Sequence, residues 1–271
     1  MMRRSYADTP RGQVHLRRAG HGPETVLLLH QTAASSAMYE AFAAEFLAAE
    51  SAKYTLIAVD TPGFGMSFTP EDPYDLGDWA DDLLAAVEGP MHVLGHHTGA
   101  SIAVAMAARA AERIASLTMI GATVLPDAER ARWEAGVVGM QLADSGAHLS
   151  TAWWQVANID GDPNAYPPSL ALRQRETVDK LRAGSRWHEA YLTVFRTDVR
   201  ALLASSTAPA LLICGTADVL YPYVASTLAA RDGITSVELD AGAYVLDQEP
   251  AAVVAPLLDF LAAHPIAGEA A

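Results

Sequence analysis

Short, mostly apolar runs recur along this chain at positions 25–29, 54–59, 91–94, 116–120, 210–214 and 235–239. Most of them lack the strict in–out alternation of a strand with one wet face, so they suit strands covered on both sides. Longer helical patterns separate them, at 37–49, 75–87, 98–111, near 223–230 and near 251–263. Strand-length runs alternating with helices specify βαβ units and hence a mostly parallel sheet flanked by helices, an α/β chain. Residues 13–18 do alternate and are expected to form an antiparallel edge strand.

The rhythm breaks between about 125 and 206. This stretch carries Trp133, Trp153, Trp154 and Trp187, four of the five tryptophans, around a turn-rich centre at 160–168. Its spacing is helical. It is read as a helical cap inserted into a core made of residues 1–124 and 207–271, with 265–271 as a loose tail. A 51% hydrophobic, 18% charged chain of 271 residues holds enough apolar material for one large core. Lys+Arg 18 against Asp+Glu 32 leaves −14, which repels polyphosphates and argues against nucleic acid or an anionic membrane as partner. A single cysteine, Cys214, forbids an intrachain disulfide and reads as an inert buried thiol. No secretory signal and no run of about 18 apolar residues is present, so a soluble cytoplasmic protein, monomer or homodimer, is expected.

Open parallel sheets bind ligands beyond the carboxyl ends of their strands. Those ends carry His30-Gln31-Thr32, Asp60, Gly95-His96-His97-Thr98-Gly99, Asp218 and, past the last run, Tyr244. The third has small residues two positions to either side of a central side chain, between a strand and a helix. Such spacing permits a turn too tight for ordinary residues and leaves the central side chain standing over the sheet edge. No dinucleotide fingerprint or phosphate loop occurs, since Phe68 stands where the third glycine after Gly63 and Gly65 would be.

With these segments, the Asp60-to-Ser67 turn, Gly215-x-x-Asp218 and Gly242-x-Tyr244 leading to Glu249-Pro250, the chain resembles the α/β-hydrolase superfamily along nearly its whole length. The resemblance implies a lidded member with a non-standard triad. His97 stands at the nucleophile position, Tyr244 at the catalytic-histidine position, and only the acid, Asp218, keeps its type. It also implies an oxyanion hole from the backbone N–H groups of Gln31 and Thr98. A phenol of pKa about 10 is a poor base at neutral pH, at a cost of roughly 4 kcal/mol, whereas a free imidazole titrates near about 6.5. His97 is therefore the expected base, Tyr244 the hydrogen-bond donor or acid, and Asp218 the group orienting one of them.

His30, Thr32 and the four cap tryptophans are candidate substrate contacts, with His30 weighed against a supporting role in its loop. His96 is expected to pack, Asp60 to form a turn, and Asp127 is a reserve acid. Neither a metal nor a cofactor is expected, because adjacent histidines on a tight turn point apart. The leading expectation is cofactor-free general acid–base catalysis, of lyase, cyclase or isomerase type, on a small or medium-sized apolar carbonyl compound. The alternatives are hydrolysis by His97-activated water or an acyl-imidazole, and a non-catalytic ligand-binding protein.

Overall fold

The computed structural model describes residues 2–160 and 164–266. In chain order the elements are β1 (Arg3–Thr9), β2 (Gly12–Gly20), β3 (Glu24–Leu29), α1 (Glu40–Ala49), β4 (Tyr54–Val59), α2 (Leu76–Ala86), β5 (Met91–His96), α3 (Thr98–Arg109) and β6 (Ile114–Ile120). Then follow α4 (Asp127–Gly136), α5 (Ala147–Ala157), α6 (Leu170–Arg182), α7 (Glu189–Arg196), α8 (Val199–Ser205), β7 (Ala210–Gly215), α9 (Val224–Leu228), β8 (Ile234–Leu239), α10 (Val245–Gln248) and α11 (Pro250–Ala263).

The strands form one eight-stranded sheet in the order β1-β2-β4-β3-β5-β6-β7-β8. From β4 to β8 every pairing is parallel, while β1, β2 and β4 pair antiparallel. The apolar runs behave as their composition dictates. In β3, Leu27 and Leu29 face a core with α2, α3 and α8, while Val26 and Leu28 face a second core with α1 and α11. Every residue of β4, β5 and β7 is buried.

Two expectations need correction. Residues 13–18 lie in β2, one strand in from the edge; the edge is β1, whose residues are mostly exposed. The helix expected at 37–49 starts with a 3₁₀ turn at Ser36–Tyr39 before α1. Among the described residues, five α-helices lie between β6 and β7, where the sequence shows its helical, Trp-rich gap. Residues 161–163 of the turn-rich centre and 267–271 of the tail lie outside the described residues. Among those described, no helix is long and apolar enough to cross a membrane.

Candidate active site

β5 delivers the central residue of the site and α3 carries the chain away, so His97 alone makes the turn, with φ 49° and ψ −110°. A non-glycine residue held there costs about 1–3 kcal/mol, which the surroundings must offset. Glycines on both sides make the turn possible. A Cβ on Gly95 would lie 2.1 Å from the Gly99 carbonyl oxygen, and one on Gly99 would lie 2.1 Å from that of Leu29. The His97 amide donates to the Ile120 carbonyl at 2.9 Å, pinning the turn to β6.

The imidazole is buried, and its Nε2 sits 2.8 Å from Oδ2 of Asp218. Asp218 comes from the turn after β7, and its Oδ1 accepts from the Leu220 amide at 2.8 Å. A carboxylate only accepts, so Nε2 carries a proton, and in the neutral ring the lone pair is then on Nδ1. The hydrogen bond of the ring among the described residues is the one made by Nε2. Gly121, with φ 56°, lets β6 close on the pair; its Cβ would lie 2.6 Å from His97 Nε2 and 2.8 Å from Asp218 Oδ2.

His97 opens onto a cavity of about 770 Å³ between the sheet edge and the helices that follow β6. Gln31, Thr32, Thr98, Trp133, Trp154 and Trp187 line it, so most of the sequence-derived site converges. The amides of Gln31 and Thr98 donate to no group among the described residues.

The remaining candidates lie elsewhere. Tyr244 is 1% exposed and does not line the cavity; its hydroxyl donates to the Val156 carbonyl of α5 at 3.0 Å. Burial, with the field of Glu176, pushes its phenol far above the ordinary range. The structure thus does not bring the expected acid to His97. His30 supports its loop, with Nδ1 2.7 Å from the Gln31 carbonyl and Nε2 accepting from the Thr61 amide at 3.0 Å. Trp153 lies off the cavity, under the Arg173 guanidinium. Asp127 is exposed, pairs with Arg130 and does not line the cavity. Asp60 accepts from His15 and from the Ser36 and Met66 amides. Burial alone would raise its carboxyl, but these bonds and the field of His30 hold it well below the usual range.

His96 is fully buried against His97, their ring centres 4.3 Å apart. Burial and its neighbour's field push its imidazole well below the usual value. Its nitrogens make no well-formed hydrogen bond, only a weak approach to the Ala243 backbone. His96, His97 and Asp218 each place a donor atom within 4.8 Å of the others. Two ligands of a tetrahedral ion, bonded at about 2.0–2.1 Å, stand about 3.3 Å apart. The 2.8 Å His97–Asp218 bond would have to open to admit one.

Several cavity residues escape the sequence reading, among them two charged ones on a single helix. Glu176 and Lys180 stand four apart on polar α6, spacing that ordinarily marks a solvated ion pair. The available signal is that they continue the stripe begun by buried Leu172.

With this geometry in hand, similarity to known proteins becomes informative. The family model described as alpha/beta hydrolase fold matches residues 24–250. A protein of Variovorax paradoxus named as a carbamate hydrolase, RutD, is 30% identical over 258 residues, covering 89% of this chain and 94% of the relative. A pimeloyl-[acyl-carrier protein] methyl ester esterase of Nitrosomonas europaea is 28% identical over 223 residues, 77% of this chain and 82% of the relative. Among solved structures, epoxide hydrolase A from Mycobacterium thermoresistibile superposes with a TM-score of 0.82 at 20% identity, covering 98% of this chain and 100% of that one.

Proposed function

The chain belongs to the alpha/beta hydrolase fold family, and on that premise we propose that it is a hydrolase in which His97 replaces the usual nucleophile as a general base. The substrate is a small or medium-sized, largely apolar ester, lactone or related carbonyl compound. The observation that carries this reading is the His97–Asp218 hydrogen bond of 2.8 Å, which leaves Nδ1 basic on a ring that lines the cavity.

In this reading Nδ1 takes a proton from water while the water oxygen bonds to the substrate carbonyl carbon. The carbonyl π pair moves to oxygen, where the Gln31 and Thr98 amides receive it. Collapse of the tetrahedral adduct expels the leaving group, which takes the proton back from Nδ1. Asp218 fixes the tautomer and stabilises the imidazolium between the two transfers. Tyr244 has no part in it. The helices after β6 act as a lid that keeps bulk water from the apolar cavity. The hydrolase and esterase names of the relatives at about 30% identity support water as the nucleophile.

A second reading, a lyase or cyclase, keeps the same base but aims it at a substrate proton. It is favoured by the elbow, which presents neither a hydroxyl nor a thiol for acyl transfer. A panel of p-nitrophenyl esters and lactones, run in oxygen-18 water, tests the proposal. Hydrolysis puts label in the acid product. Turnover with no label points to the second reading, and turnover undiminished in His97→Ala overturns both. If no turnover is found but ligands bind, a non-catalytic binding protein remains.

A further inference from the structure

Among the cavity's charged residues, Lys180 stands out for having no ionic partner. It is 8% exposed, lines the cavity, and makes no ion pair or hydrogen bond among the described residues. Its Nζ lies 3.7 Å from the centre of the Trp187 ring, which lines the same wall. The surrounding carboxylates are committed to other groups. Glu176 Oε1 accepts from Arg175 at 2.8 Å, and its Oε2 accepts from Gln31 Nε2 at 3.3 Å. Asp247 takes the other side of the Arg175 guanidinium, and Asp179 accepts from the Ser35 hydroxyl at 2.7 Å.

A cation on an aromatic face recovers only part of the hydration it gave up. Burial accordingly lowers the ammonium to about 8, against the weaker opposing field of Glu176. It stays mostly protonated at neutral pH. The Trp187 indole N–H is buried and also unpartnered.

We propose that Lys180 is a specificity-determining residue, and that this cavity takes substrates bearing a carboxylate, which pairs with the Lys180 ammonium while the carbonyl to be attacked lies near His97. The Gln31 side chain connects the two regions: it bonds Glu176, one turn before Lys180 on α6, and Gln31 lines the same cavity as His97. The ideal ligand is then amphipathic, an apolar body against Trp133 and Phe195 with one anionic end. This inference deepens the proposed function and rests on the cavity being the substrate site.

The test is calorimetric binding of 4-phenylbutyrate and of its neutral isostere 4-phenylbutyramide to the intact protein at pH 7. A charge-assisted contact in a buried wall should favour the acid by about tenfold or more. Lys180→Met should erase that preference and Lys180→Arg retain part of it; Lys180→Gln is the second neutral variant should the methionine protein fold poorly. An equal preference in wild type and both neutral variants, or none in wild type, overturns the inference. So does failure of the acid to bind at millimolar concentration. Neither probe reacts, so the result is independent of turnover. A His97→Ala protein that is inactive yet keeps the acid preference supports the anion site, whereas normal turnover without any preference overturns that site alone.

Discussion

His97 sits in a backbone conformation that an L-residue adopts only when its surroundings force it, and the side chain so displayed is bonded to a buried carboxylate. Its partner should matter through the tautomer. Asp218→Asn keeps the shape but allows the amide N–H to face Nε2, which favours the proton on Nδ1 and removes the base. Turnover is expected to fall by about 10⁴ with little change in KM, as for the comparable change in a Ser-His-Asp triad; steady-state kinetics checks this. Tyr244 predicts the opposite pattern. Tyr244→Phe removes one buried hydrogen bond to Val156 and should cost about 1 kcal/mol in urea unfolding, with kcat/KM within about twofold of wild type. A large loss of kcat with unchanged stability would restore the phenol to the chemistry. The sequence made both residues conspicuous by position, but position in a motif does not tell where a side chain ends. The phenol at 244 is long enough to reach past the site to α5, and Asp218 is left to meet an imidazole that comes from the elbow instead.

At the scale of elements, the buried strands were legible because β4, β5 and β7 have no wet face, so their composition is nearly free of polar interruptions. β1 escaped because an edge strand buries little; its arginines and aspartate guard an exposed ladder and look like loop. α6 misled in another way, since a charged helix normally turns its Glu–Lys pair to water, and here Glu176 and Lys180 face the cavity. The junction of β5 and α3 gives the sharpest test at this scale. Gly99→Ala would drive a methyl into the backbone of β3, which cannot yield without moving the elbow. A loss of about 3 kcal/mol is expected. Gly136→Ala, at the end of α4 with nothing within 4 Å of the added methyl, should cost nothing measurable. Equal urea midpoints for the two variants would show that α3 is not seated as tightly as its contacts require.

For the whole molecule, the buried charges on α6 make global stability depend on pH in a direction that can be worked out. Burial raises the carboxyls of Glu176 and Asp179 and lowers Lys180 to about 8, each shift favouring the neutral form. A lysine in the unfolded chain titrates near about 10.4. Between those two values the unfolded state holds more protons than the folded one, so the lysine's contribution to stability rises with pH. Below about 8 both states are protonated and the full cost of the buried cation is present. Other groups titrate in the same range, including tyrosines whose raised values act in the opposite sense. The informative quantity is therefore the difference between wild type and Lys180→Met, in which shared contributions largely cancel. Wild type should gain about 2 kcal/mol relative to the variant from pH 8 to about pH 10. Urea unfolding at closely spaced pH values measures it. A flat difference would mean that the ammonium is already neutralised or solvated in the folded state. A bound carboxylate should also flatten the curve, because it holds the proton on Lys180 in the folded state. Repeating the titration with saturating 4-phenylbutyrate thus reads the same charge from the stability of the entire fold.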